Sequence, residues 1–147
     1  MSNRALRTLL ATASPILIGS GGAAWAAITK QLKDQDITVP EDADRLAGKP
    51  VAGPLTAYMQ AETVAKHAHH MGGGRTFADV SAEFMKASAE GDTERAEELS
   101  GPRDLLMQAN FTRASLFTSV LAYGVSALVI GMGALTGLAA AAIDNDN

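Results

Sequence analysis

The chain has 147 residues, a formal net charge of −4 at pH 7 and no cysteine. A mildly acidic balance lacks the basic footprint of a nucleic-acid binder, and the missing thiols exclude a disulfide framework, thiolate zinc sites and dithiol redox chemistry. Two long apolar runs leave only about eighty residues for everything else, too few to build a sizeable water-soluble core.

The first apolar run follows Arg4 and Arg7, extends uncharged from Thr8 to Thr29 and closes at Lys30. It is long enough to cross a hydrocarbon core as a helix. Ala24-Trp25-Ala26 also offers the small-x-small pattern of signal-peptide cleavage. The length of the run, its Pro15 and its glycines at 19, 21 and 22, and Trp25 as an interfacial anchor favour an uncleaved helix. Small residues four apart, Gly19 with Ala23 and Ser20 with Ala24, offer a packing surface. The positive-inside bias holds Arg4 and Arg7 in the cytoplasm.

Lys33 to Gly53 is polar, carries Pro40 and Pro50, and reads as a linker. Ile37-Thr38-Val39 has strand composition but no visible partner. Helical signals then take over. Pro54 suits a first helical turn, and Leu55 to Met71 is rich in helix formers up to the stop at Gly72-Gly73-Gly74. Thr76 with Asp79 forms a variant capping box for a second helix that has Phe77, Val80, Phe84 and Ala87 on one face and ends at Gly91. Asp92 or Thr93 caps a short charged turn through Leu99, and Gly101-Pro102 opens the final helix. The alanine-rich faces of these short helices bury little, so the cap leans on its own membrane helices, on a second copy or on another protein.

The final helix runs into Ala114 to Ile143, about thirty residues without a formal charge and up to ~45 Å long at 1.5 Å per residue. One side of it is small or mildly polar: Ser119, Ala122, Ser126, Val129, Gly133, Thr136 and Ala140. Phe117, Val120, Leu121, Leu128, Ile130, Leu135 and Leu138 cover the remaining circumference as lipid-facing residues. Gly133 to Gly137 is a GxxxG match of the kind that lets helix backbones approach closely in lipid. The expected packing residues are therefore Ser119, Ala122, Ser126, Gly133 and Gly137, against a partner that could be the chain's own first helix, with Arg113 and Trp25 as interface anchors.

Chemistry has few places to reside. His67, His69 and His70 are the chain's histidines, and His67 shares a helix face with His70. Imidazoles there could hold a metal ion with Glu62, Asp79 or Glu83, although histidines at a helix C-terminus also serve its dipole. Gly72-Gly73-Gly74-Arg75-Thr76 lacks the spacing and the preceding strand of a phosphate loop and reads as a helix connection. The apolar runs contain no ionisable residue of the kind that marks ion pathways, proton relays or haem sites, so no cofactor is expected.

Several segments together resemble a family of small actinobacterial membrane proteins. The matching residues are Asp36-Ile37-Thr38-Val39, Asp42-Ala43, Ala47-Gly48-Lys49-Pro50-Val51, Gly53-Pro54-Leu55-Thr56-Ala57-Tyr58, Lys66-His67-Ala68, Arg113 to Val120, and Ala122-Tyr123-Gly124-Val125. Proteins of this family are often labelled as similar to the small subunit of an aromatic ring-opening dioxygenase. That chemistry requires an Fe(II) facial triad of two histidines and a carboxylate in a pocket, and the residues here do not support the label. The resemblance implies a two-helix membrane topology and no activity. His69, His70 and the 77–101 segment depart from the family's shorter cap.

The expected architecture is an all-α membrane protein: two transmembrane helices with a small helical extracytoplasmic cap, the second membrane helix long and continuous with the cap. Its segments are a cytoplasmic N-terminus (1–8), transmembrane helix 1 (9–29), an extracytoplasmic linker (30–53), a helical cap (54–101), a long helix with the second span (102–143) and a cytoplasmic tail (144–147). The expected function is that of a non-enzymatic interaction protein of the cell membrane, an accessory or structural subunit whose partners are the lipid bilayer and a membrane protein or a second copy, without nucleic acid. A metal-binding role through His67 and His70 is the alternative.

Overall fold

The computed structural model describes residues 2–145, with side chains through Ile143; Met1 and the last two residues of the expected 144–147 tail lie outside the described part. Among the described residues the chain forms α1 (Asn3–Lys33), α2 (Pro54–Met71), α3 (Phe77–Glu90) and α4 (Thr93–Asn145), and no strand. They fall into two compact units. One gathers the chain through Ile37, the segment Ala52–Pro54 and α4 from Ser119 onward; the other gathers Thr38–Val51 and Leu55–Thr118.

In the first unit, α1 begins with the Ser2 hydroxyl accepting a hydrogen bond from the Ala5 amide at 3.3 Å. It ends with Lys30 and Lys33 in the last turn, where positive charge complements the helix dipole. It is thus longer at both ends than the expected 9–29 span, because capping and dipole terms let polar residues extend a helix past its apolar stretch. Both α1 and α4 contain an apolar window long enough to cross a membrane, and only 11% and 17% of those windows are buried.

In the second unit, α2 opens on Pro54 and closes where the Gly72 amide donates to the Ala68 carbonyl at 2.8 Å and the Gly74 amide to the His69 carbonyl at 2.8 Å. Gly73 and Gly74 have φ of 64° and 79°, a region that favours glycine. The α3 capping box is complete: the Thr76 hydroxyl accepts from the Asp79 amide, and the Asp79 carboxylate accepts from the Thr76 amide. Gly91, at φ 75°, ends that helix.

Two expectations are corrected in this unit. The Ile37-Thr38-Val39 stretch does find a partner: Thr38 bridges Pro50 in an antiparallel sense, the Val39 amide donates to the Lys49 carbonyl and the Gly48 amide to the Val39 carbonyl, each at 2.9 Å. Val39 and Val51 are buried at the two ends of this clasp, which gives the short pairing its apolar support. The final helix, moreover, starts at Thr93 and not at Gly101-Pro102, with Asp92 Oδ1 accepting from the Arg95 amide at 3.0 Å. Leu99 and Leu106, two turns apart on either side of Pro102, are buried in one cluster with Ala68 and Val80, against which Phe77 and Phe84 pack. Two buried leucines at about 1.5–3 kcal/mol each offset an interior proline that costs about 3 kcal/mol, and the exposed position of Pro102 keeps its ring out of the core.

Candidate functional site

Three of the sequence-predicted packing residues, Ser126, Gly133 and Gly137, face α1. Ser14 faces Gly137, Leu17 and Ile18 face Gly133, and Gly21 faces Ser126 and Ile130. As residue numbers rise on α1 they fall on α4, so the pair is antiparallel. The approach is close enough that a β-carbon at Gly21 would lie 2.9 Å from the Ser126 carbonyl oxygen and 2.7 Å from Ile130 Cγ1. A β-carbon at Gly133 would lie 2.8 Å from Ile18 Cγ1 and 3.0 Å from the Ile18 amide nitrogen. At Gly137 the obstruction is the Ser14 hydroxyl, at 2.7 Å. Only glycine fits the first two positions without displacing the facing helix.

Of the five expected packing residues, Ser126 and Gly133 are buried, and Ser119, Ala122 and Gly137 are half-buried on the same side. The seam lies about one position away from the expected stripe. It follows Ser119, Tyr123, Ser126, Ile130, Gly133, Gly137 and Ala140, alternating steps of four and three residues, the period of two helices wound about each other. Ile130, expected on the greasy outer side, therefore points at Gly21, while Leu121, Leu128, Leu135 and Leu138 are exposed as expected. On α1 the seam uses Ser14, Leu17, Ile18 and Gly21, and the expected rows Gly19–Ala23 and Ser20–Ala24 are exposed. Positions 19 and 23 stand about 200° around the helix from position 21, which turns them away from α4.

Tyr123 is the residue that sequence reasoning undervalued. It is 1% exposed, its hydroxyl shares a hydrogen bond of 2.8 Å with the Thr29 hydroxyl, and its ring meets Trp25 edge-on with centroids 4.7 Å apart. Trp25, expected as an interfacial anchor, is thus also a packing residue. The signal was present in the sequence: a lone tyrosine in an uncharged run needs a partner for its hydroxyl when buried.

In the second unit the expected metal residues separate. His67 Nε2 donates to Asp42 Oδ2 at 2.6 Å, tying α2 to the 38–51 clasp; this bond holds the Asp42 carboxyl below its ordinary range. His70 is exposed on the last turn of α2. Among the described residues no group of three or more His, Cys, Asp or Glu is placed to hold a metal ion. Arg113 reaches Glu62 at 3.5 Å and stacks on the Phe117 ring at 5.1 Å, and Tyr58 meets Phe117 edge-on at 5.7 Å.

The strongest electrostatic cluster centres on Glu83. Arg95 donates to its Oε1 through Nη2 at 2.5 Å and Nε at 3.1 Å, Arg75 donates to Oε2, and Arg95 Nη1 continues to Glu98 at 2.7 Å. The hydrogen bonds from Arg95, then those from Arg75, hold the Glu83 carboxyl below its ordinary value. The cap hydrogen bonds from Thr76 likewise lower Asp79. Arg103 lies over the Phe84 ring at 5.0 Å and over the Phe77 ring at 5.9 Å, a cation sandwiched on α3.

Beside this cluster is a cavity of about 410 Å³, bordered by α2, the turn after it, the start of α3 and residues 106–113 of α4. Comparison with protein-family models, with curated proteins and with solved structures finds no match for the chain, so the resemblance named above rests on its quoted residues alone.

Proposed function

We propose that the chain is an integral membrane protein of two spans, α1 and the distal part of α4, carrying an extracytoplasmic helical cap, and that it serves as a non-enzymatic accessory or structural subunit. The observation that carries the membrane reading is the low burial of two long apolar helices. A core helix of a water-soluble protein is mostly covered. Here Leu9, Ile16, Leu121, Val125, Leu128, Met132, Leu135 and Leu138 stay open, a surface that suits lipid tails.

The close contact at Gly21 and Gly133 supports an uncleaved first helix. Cleavage behind Ala26 would remove Ser14, Leu17, Ile18 and Gly21, the whole α1 side of the seam. Lipid gives no hydrophobic drive for helix association, so close backbone approach and the Thr29–Tyr123 hydrogen bond fit a pair assembled within it. Because that seam is used inside the chain, Gly133 and Gly137 serve the fold, and a partner subunit takes the cap or the outer face of the pair. No specific observation favours the metal-binding alternative, since His67 is engaged by Asp42 and among the described residues no group of three or more ligating side chains is formed.

The test is a tagged pull-down from carbonate-washed native membranes in mild detergent, with co-purifying proteins identified by mass spectrometry. A stoichiometric larger complex is the expected result. Recovery of the chain alone, or only with copies of itself, overturns the accessory role; its absence from the washed membranes overturns the membrane reading.

A further inference from the structure

The cavity of about 410 Å³ in the second unit has an unusual division of its wall. Three of its lining residues are basic or can become so, Arg75, His69 and Arg113, and none is acidic. The carboxylates that pair with the two arginines, Glu83 and Glu62, do not line it. Each arginine reaches its carboxylate through a single nitrogen, Nη2, and a guanidinium carries five N–H donors in a planar fork, so the pairing leaves donors for a ligand. The rest of the wall is mostly apolar, with Phe77, Leu106 and Ala109 among its residues, and includes the polar Thr76 and Asn110. A volume of this size, lined mainly by apolar residues with a few charged and polar ones, matches small-molecule sites in general.

We infer that this cavity binds an amphiphilic anion: a phosphate or carboxylate head held between Arg75 and Arg113, with an apolar body against Phe77 and Leu106. The planar fork of arginine suits such oxyanions. Two sources supply this chemistry, an anionic phospholipid headgroup or a soluble organic anion. The first rests on the membrane reading, and Arg113 suits it as the last charged residue before the uncharged run of α4.

The experiment uses the full chain and two variants that act by different routes. R113Q removes a cation, and Ala65→Leu fills the cavity from its α2 wall with the charges unchanged. Each is reconstituted in phosphatidylcholine vesicles containing phosphatidylglycerol, floated after a carbonate wash, and analysed for retained lipid by native mass spectrometry. In parallel, phenyl phosphate is titrated onto the solubilised chain by calorimetry. The expected result is selection of phosphatidylglycerol over phosphatidylcholine by about tenfold in the parent, the worth of one charge-assisted hydrogen bond, falling to parity in both variants. Binding of phenyl phosphate by the parent alone, without lipid selection, upholds the site with a soluble anion as its source. Equal behaviour of the parent and both variants toward both probes overturns the site. Failure to float sinks the membrane reading instead, and the phenyl phosphate titration then decides the site by itself. Circular dichroism verifies each variant's helicity, and if one unfolds the other decides.

Discussion

At the scale of single residues, the glycines rank themselves by what their missing β-carbon would strike. At Gly21 the obstacle is the Ser126 carbonyl oxygen at 2.9 Å, with the Ile130 amide nitrogen at 3.2 Å. This is backbone that cannot rotate away. At Gly133 it is Ile18 Cγ1 at 2.8 Å, with the Ile18 amide nitrogen at 3.0 Å, partly a side chain. At Gly137 it is the Ser14 hydroxyl, which can turn aside. Overpacking a close contact costs about 1–3 kcal/mol, so G21A is expected near the top of that range, G133A below it and G137A at the bottom. Gly19 and Gly131 meet nothing within 4 Å, and alanine there gains about 0.5–1 kcal/mol of helix propensity. Thermal unfolding of the five variants in one detergent, followed by circular dichroism, reads the order. A G19A variant as damaging as G21A would refute the antiparallel register. The GxxxG match drew attention to Gly133 and Gly137, but nothing in the local sequence marks Gly21 over its neighbours 19 and 22, because the choice among them is made by the facing helix.

At the scale of elements, start and stop signals were the most legible feature. Pro54, Thr76 with Asp79, the 72–74 glycines and Gly91 all act where their chemistry predicts. The failures have one cause, tertiary packing overriding a local signal. Pro102 reads as a helix start, yet burial of Leu99 and Leu106 carries α4 through it. Thr38 and Val39 read as an unpaired stretch, yet a turn that places Leu46 and Gly48 at positive φ brings Lys49 and Pro50 back to meet them. Glu83 read as a carboxylate that could join the histidines at a metal, yet it is taken by two arginines that come from the turn before α3 and the start of α4. Because the folded chain holds this carboxyl below its ordinary value of 4.5, folding favours its ionised form. The stability it contributes is complete above pH 4.5 and is lost as pH falls through the lowered folded value. The melting temperature of the cap helices is therefore expected to stay level from neutral pH down to about 4.5 and to fall below it. E83Q should melt earlier at neutral pH and show a shallower acid decline, the remainder coming from Asp42 and Asp79, whose carboxyls are lowered as well. An unchanged acid limb in E83Q would remove Glu83 from this role.

At the scale of the whole molecule, the sequence makes the two long apolar helices plain, because length and the absence of charge survive any error in register. The seam between them was harder to read, since the expected stripe and the observed seam both repeat every seven residues and share Ser119, Ser126, Gly133 and Ala140, so the repeat alone does not say which neighbour fills the turn between. The facing helix makes that choice, taking Tyr123, Ile130 and Gly137 where the expected stripe has Ala122, Val129 and Thr136. The proposed direction in which the pair threads a bilayer rests on charge: Arg4 and Arg7 precede the first run. In the topology proposed above, the positive-inside bias keeps the N-terminus in the cytoplasm and sends the segment between the runs across the membrane. In that proposed topology Lys30, Lys33 and Arg103 fall on the translocated side, but a long loop crosses with little regard for its charge. A chain without cysteine makes this directly measurable, since a single introduced thiol has no native competitor. Ser2 and Ser88 are exposed, one before α1 and the other near the end of α3. In intact cells, S88C is expected to react with a membrane-impermeant maleimide, and S2C is expected to react only after permeabilisation. The reverse pattern would place the cap in the cytoplasm and invert the topology. Labelling of both in intact cells would leave no sealed bilayer between them and end the two-span reading.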